Sequence, residues 1–111
     1  MATLINGTKK ICVKAILDTG NSLKEPISGK PTCVLDGLTA KQLWTGEDLF
    51  RAVPWHGVGD ARGILKAYFL PELRLDLGGL VKVVRNVYVA VAPEEGKTKD
   101  ACLIIQPKIL E

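Results

Sequence analysis

The sequence predicts a mainly β protein: a small closed or nearly closed barrel with one or two short helices. Three observations predict it. The chain has 111 residues, the size of a single domain (1–111) with one modest core. Apolar residues make up 47% of it, and Val, Ile and Leu among them fall in short alternating runs that suit strands. Turn-forming residues separate those runs at close spacing, as in small barrels.

The elements follow in order. Thr3-Leu4-Ile5 reads as a strand, and Asn6-Gly7 as a two-residue type I′ turn, whose two positions both need positive φ. Lys10 to Leu17 is the next strand, with Ile11, Val13, Ala15 and Leu17 on one face and Cys12, Lys14 and Ile16 on the other. It runs into Asp18-Thr19-Gly20-Asn21, a turn at every position. A polar loop with Gly29 spans Pro26 to Pro31, and Thr32 to Leu35 is a short strand. Thr39 to Trp44 is a short helix candidate, with Thr39 and Gln42 at capping-box spacing. Val53-Pro54-Trp55 is extended, because the residue before proline avoids the helical region. The glycine-rich stretch His56 to Gly63 follows. Ile64 to Phe69, Leu73 to Leu77 and Val81 to Val91 read as strands, the last two joined by Gly78-Gly79. Ala101 to Ile105 is a final buried strand, and Pro107 opens a last helical turn.

Charge and cysteine content narrow the function classes. The formal charge is +3, with lysines and arginines scattered rather than blocked and interleaved with aromatics, so a nucleic-acid partner is not expected. No apolar run reaches the roughly 18 residues of a membrane span, and there is no signal peptide. Cys12, Cys33 and Cys102 form no CxxC pair and have no metal-ligand spacing. Their apolar neighbours predict buried free thiols in a reducing compartment; one disulfide among them stays compatible with the sequence. No metal or other cofactor is expected.

Chemistry must therefore come from a narrow set of residues. His56 is the chain's one histidine, and a lone loop histidine is ordinarily solvated. Gly57, Val58, Gly59 and Gly63 do not make a phosphate loop, since no Lys-Ser/Thr follows and no helix opens there. Asp18 is different. Ala15-Ile16-Leu17 delivers it at a strand end into a tight turn. An aspartate there can simply cap its own loop. Against that bland role stand the apolar residues before it, the Asn-Gly hairpin upstream, the glycine-rich segment about 40 residues downstream, and the terminal apolar run.

That layout resembles a retropepsin-type subunit. The run Leu17-Asp18-Thr19-Gly20-Asn21-Ser22-Leu23-Lys24-Glu25-Pro26-Ile27-Ser28-Gly29-Lys30-Pro31 narrows the resemblance to the protease domain of the SpoIIGA family, sporulation peptidases that process the precursor of sigma-E. Val53-Pro54-Trp55, Val58-Gly59 with Gly63, and Leu103-Ile104-Ile105-Gln106-Pro107 with Ile109-Leu110 are similar to later segments of that family. The likeness runs from about residue 10 to the end. Members carry an N-terminal multi-spanning membrane region absent from this sequence. The resemblance thus implies the soluble C-terminal part of a bacterial membrane protein, facing the mother-cell cytoplasm. At Gln106 the chain departs from retropepsins, which usually place glycine there.

The resemblance implies a retropepsin-like barrel and an aspartic endopeptidase. Metal-free peptide hydrolysis needs one carboxylate as base and one as acid, sharing a proton. The chain has one Asp-Thr-Gly, so a two-fold homodimer would supply the second Asp18. Thr19 would tie the two turns across the axis, and Gly20 would offer its N–H to the carboxylate at a close approach that a Cβ would hinder. Asn21 would hold the turn or touch substrate backbone. Gly57, Val58 and Gly59 would form a flap tip, with substrate extended beneath it. The substrate would be a pro-sigma factor losing its propeptide. Two other readings compete: a non-catalytic barrel that binds a peptide or partner in the same groove, and a monomeric β module in which Asp18 only caps a turn.

Overall fold

The computed structural model describes residues 1–56, 62–93 and 101–111. Among the described residues, seven strands follow in chain order: β1 (Ala2–Asn6), β2 (Lys9–Leu17), β3 (Thr32–Leu35), β4 (Phe50–His56), β5 (Arg62–Asp76), β6 (Val81–Val91) and β7 (Cys102–Ile105). A one-turn helix, α1 (Gly37–Ala40), follows β3, and a 3-10 helix (Pro107–Leu110) follows β7.

The expected closed barrel is present. Six strands close in the order β1-β2-β7-β3-β6-β5, with β5 pairing back to β1. β4 stands outside the ring and pairs with β5. Most pairs are antiparallel, but β2–β7 and β3–β6 run parallel. The interior holds Leu4, Leu35, Leu70, Leu73, Leu75, Val89 and Leu103, all fully buried. Alternation accounts for Leu73 and Leu75, with Arg74 and Asp76 facing solvent; Leu70, three residues before Leu73 and on the other side of Pro71, is buried outside that alternation. A smaller cluster of Val53, Ala67 and Ala90, with Leu23, Val34 and Leu65 against it, lies where the β4–β5 hairpin leaves the barrel.

Sequence and structure differ at four places. The first hairpin is present, but its register pairs Asn6 with Lys9, so the loop is Gly7-Thr8. Of these only Gly7 has positive φ, at 62°, which rules out type I′ there. Asn6 stays in the strand and donates its side-chain amide to the Leu43 carbonyl at 2.8 Å. The two glycines with the positive φ values of a type I′ turn are instead Gly78 and Gly79, at 75° and 98°.

The helix starts before Thr39. Asp36 caps it, accepting from the Thr39 N–H at 2.9 Å and the Thr39 hydroxyl at 2.7 Å. Two capping signals overlap in the sequence, and the aspartate, which accepts both bonds, wins.

The strands expected at Ile64–Phe69 and Leu73–Leu77 are one strand, β5, that runs through Pro71. Register is kept across it, from Leu70↔Val87 to Glu72↔Arg85, with no pair between Pro71 and Asn86. Proline has no N–H to give, and Asn86 opposite takes a left-handed φ of 57°. β5 also changes its second neighbour here, from β4 before Pro71 to β1 after it.

The cysteines are free, but only Cys33 is fully buried; Cys102 is half-buried and Cys12 exposed. Burial pushes the Cys33 thiol up to about 12. Cys12 shares its face of β2 with Lys14, which points it outward.

Gly79→Ala should lower stability by about 1–2 kcal/mol, the cost of holding an L residue in left-handed backbone, read from the urea midpoint at constant slope. Thr8→Ala, with ordinary φ, should shift it by less than about 0.5 kcal/mol.

Candidate active site

Asp18 sits where β2 ends. The parallel pairing Leu17↔Ile105 continues one step, and the Asp18 N–H donates to the Ile105 carbonyl at 2.8 Å. The chain then turns. Gly20 N–H donates to Asp18 Oδ1 at 2.9 Å and Asn21 N–H to the Asp18 carbonyl at 3.2 Å. Asn21 Oδ1 accepts from Leu23 N–H at 3.0 Å. Asp18, Thr19 and Gly20 are exposed. Asp18 Oδ2 and the Thr19 hydroxyl have no hydrogen-bond partner among the described residues.

Gly20 gives the expected N–H to the carboxylate. Its lack of a Cβ is not what permits this within one chain: a Cβ would lie 3.4 Å from Asp18 Oδ1, an ordinary contact, and φ there is not positive. Asn21 holds the turn through its oxygen, while its Nδ2 is buried without a protein partner.

A groove of about 520 Å³ opens over this turn. Asp18, Gly20 and Asn21 lie on one side; Pro54, Trp55 and His56 at the end of β4 lie on the other. Its floor is the small cluster, through Leu23, Val34 and Leu65. Ile104 of β7, paired with Val34 of β3, lines the groove as well. Lys24 and His56 supply its other charged or titratable groups. Trp55 lies directly over Gly63 on β5, where a Cβ would come within 2.6 Å of the indole nitrogen; this glycine leaves room for the indole. Gly57, Val58 and Gly59, expected as the flap tip, lie outside the described residues. The β4–β5 hairpin is described up to the pair His56↔Arg62.

Two supports were not legible as such. Glu25 is a fully buried carboxylate. It accepts from Ile27 N–H at 2.7 Å, Ser28 N–H at 2.9 Å and Arg51 of β4 at 3.1 Å. Burial alone would raise its pKa, but the backbone and Ser28 hydrogen bonds and the Arg51 charge together hold it below its ordinary 4.5. Arg51 also lies over the Tyr88 ring, 5.5 Å from its centre. The pair thus joins the loop after the aspartate turn to the strand opposite it. The signal was local: an acid before Pro26-Ile27-Ser28-Gly29, a turn that offers free N–H groups. The second support is Gln106, fully buried behind the same loop, signalled by a polar residue closing an apolar run.

A closed β barrel with a groove of this kind leaves many functions open; comparison with known families narrows the class to the peptidases. Residues 2–109 match the family described as the sporulation factor SpoIIGA (Peptidase_U4), and the chain belongs to that family. No curated protein and no solved structure matches it. Among the described residues, no helix is long and apolar enough to cross a membrane.

Glu25 has a lowered folded-state pKa, so its contribution to stability is present above about 4.5 and lost as pH falls through the folded value. The stability gap between wild type and Glu25→Gln should therefore narrow on acidification from about pH 6 to about pH 3. Urea melts at each pH check this; a gap that widens would contradict the assignment.

Proposed function

We propose that this peptidase is an aspartic endopeptidase, active as a homodimer, in which Asp18 from each copy forms one carboxylate pair. The observation that carries the reading is the Asp18 turn itself. It presents a carboxylate with a free Oδ2 to an apolar groove, and one chain holds one such turn.

The surroundings of the turn support a partner copy. Leu17, on the core-facing side of β2, is 52% exposed, and Ile16 beside it 41%. The Thr19 hydroxyl is unpartnered, and Gly20 has no steric need for glycine inside its own chain. An identical turn across a two-fold axis gives each of these a purpose: Leu17 is covered, Thr19 reaches the opposite turn, and Gly20 leaves room for it.

In that dimer the two carboxylates repel and share one proton. The ionised one takes a proton from water as it attacks the peptide carbonyl. The protonated one hydrogen-bonds the carbonyl oxygen, and a proton then passes to the departing amide nitrogen. Extended substrate lies along Ile104 and Val34, with Trp55 opposite. The substrate is a pro-sigma factor that loses its N-terminal propeptide. A membrane region elsewhere in the parent protein raises the local concentration of this domain, so the domain alone dimerises weakly.

Asp18→Asn keeps the shape and still caps a turn, but no longer exchanges a proton. Co-expressed with a pro-sigma factor, it should fold and lose cleavage by roughly 10²–10⁴-fold or more. Processing at the wild-type rate would leave Asp18 as a turn cap.

Thr19→Ala should weaken dimerisation and cleavage together, followed by sedimentation at rising concentration. A fall in cleavage with an unchanged monomer–dimer balance would remove the cross-axis role.

A further inference from the structure

Resting on the reading of Asp18 as catalytic, we propose that Gln106 is a positioning residue that holds the far end of the Asp18 loop. Its side chain is 1% exposed. Both hydrogens of its carboxamide nitrogen are used: Nε2 donates to the Leu23 carbonyl at 2.8 Å and to the Thr32 carbonyl at 2.9 Å. Leu23 O also accepts the Thr32 N–H at 3.0 Å.

The neighbour of Gln106 holds the other end. Ile105 O accepts the Asp18 N–H, so residues 105 and 106 clamp the first and last residues of the segment 18–23. Between the clamps, among the described residues, the segment is hydrogen-bonded only to itself, by Asp18–Gly20, Asp18–Asn21 and Asn21–Leu23 bonds. Asp18 to Gly20 are exposed, so no buried packing fixes them. A shift at Leu23 passes through Asn21 to the Asp18 carbonyl. A buried glutamine that only satisfied two carbonyls would affect stability and nothing else. A clamp would in addition set the order of the turn, and catalytic geometry is sensitive to displacements near 1 Å.

Gln106→Met keeps length and volume and removes both donors. In the full chain, nuclear magnetic resonance should show backbone order parameters at Thr19, Gly20 and Asn21 falling from about 0.85 to below about 0.6, with those of Leu73 and Val89 unchanged. Cleavage should show kcat reduced about 10–100-fold, with KM within about twofold. Gln106→Asn, one methylene shorter, keeps the donors but withdraws them and should give the same pattern in milder form if the methionine variant does not fold. A loss of stability with unchanged order at residues 19–21 overturns the proposal, as does a change spread evenly over the barrel. The order parameters decide the clamp even if Asp18→Asn proves active, which separates failure of this inference from failure of the catalytic reading.

Discussion

The parallel pairing of β2 with β7 is the constraint on which the rest of the structure depends. β7 has four residues, yet it lies between β2 and β3 and completes the ring. Its pairing stops at Leu17↔Ile105, and the next hydrogen bond of the ladder falls on Asp18. The position of the aspartate is therefore a matter of strand register. A one-residue slip would turn Leu103 and Ile105 out of the core and Ile104 into it. The same alternation that buries the core fixes the turn.

Polar groups then do what packing does elsewhere. The loop from Asp18 to Thr32 carries few apolar side chains, and only Glu25 and Thr32 are fully buried, with Asn21, Leu23 and Pro31 partly so. Its shape is kept by a buried carboxylate on one side and a buried carboxamide on the other. In a low-dielectric setting such groups are favourable only when fully satisfied. Both Glu25 oxygens and both Gln106 donors meet that condition. The Thr32 hydroxyl, buried without a partner, does not. The loop is thus ordered by specific bonds rather than by general apolar burial.

Much of this was legible in the sequence where the information is local. Ala15-Ile16-Leu17 before Asp18 marked a strand delivering a turn, and the barrel class followed from alternating runs and turns. Legibility ended where distant partners decide. Pro71 reads locally as a break, but β5 passes through it where no N–H was needed. Apolar neighbours suggested a buried Cys12, whereas its shared face with Lys14 pointed outward. Leu17 was placed on the inner face, yet it stays half exposed where β2 ends. Glu25 and Gln106 bond to residues 26 and 74–83 positions away, and no single-chain pattern encodes that.

The uninterrupted course of β5 has a mechanical consequence. The hairpin that walls the groove is not hung on a loop; its second strand is the barrel's own wall, continuous from Arg62 to Asp76. A door needs a joint, and this one has none on that side. Opening the groove therefore means twisting a sheet, with Pro71 and Asn86 as the one place where the ladder is already undone. The restoring force is that of a torsion spring, distributed over several backbone hydrogen bonds and returned when the load is released.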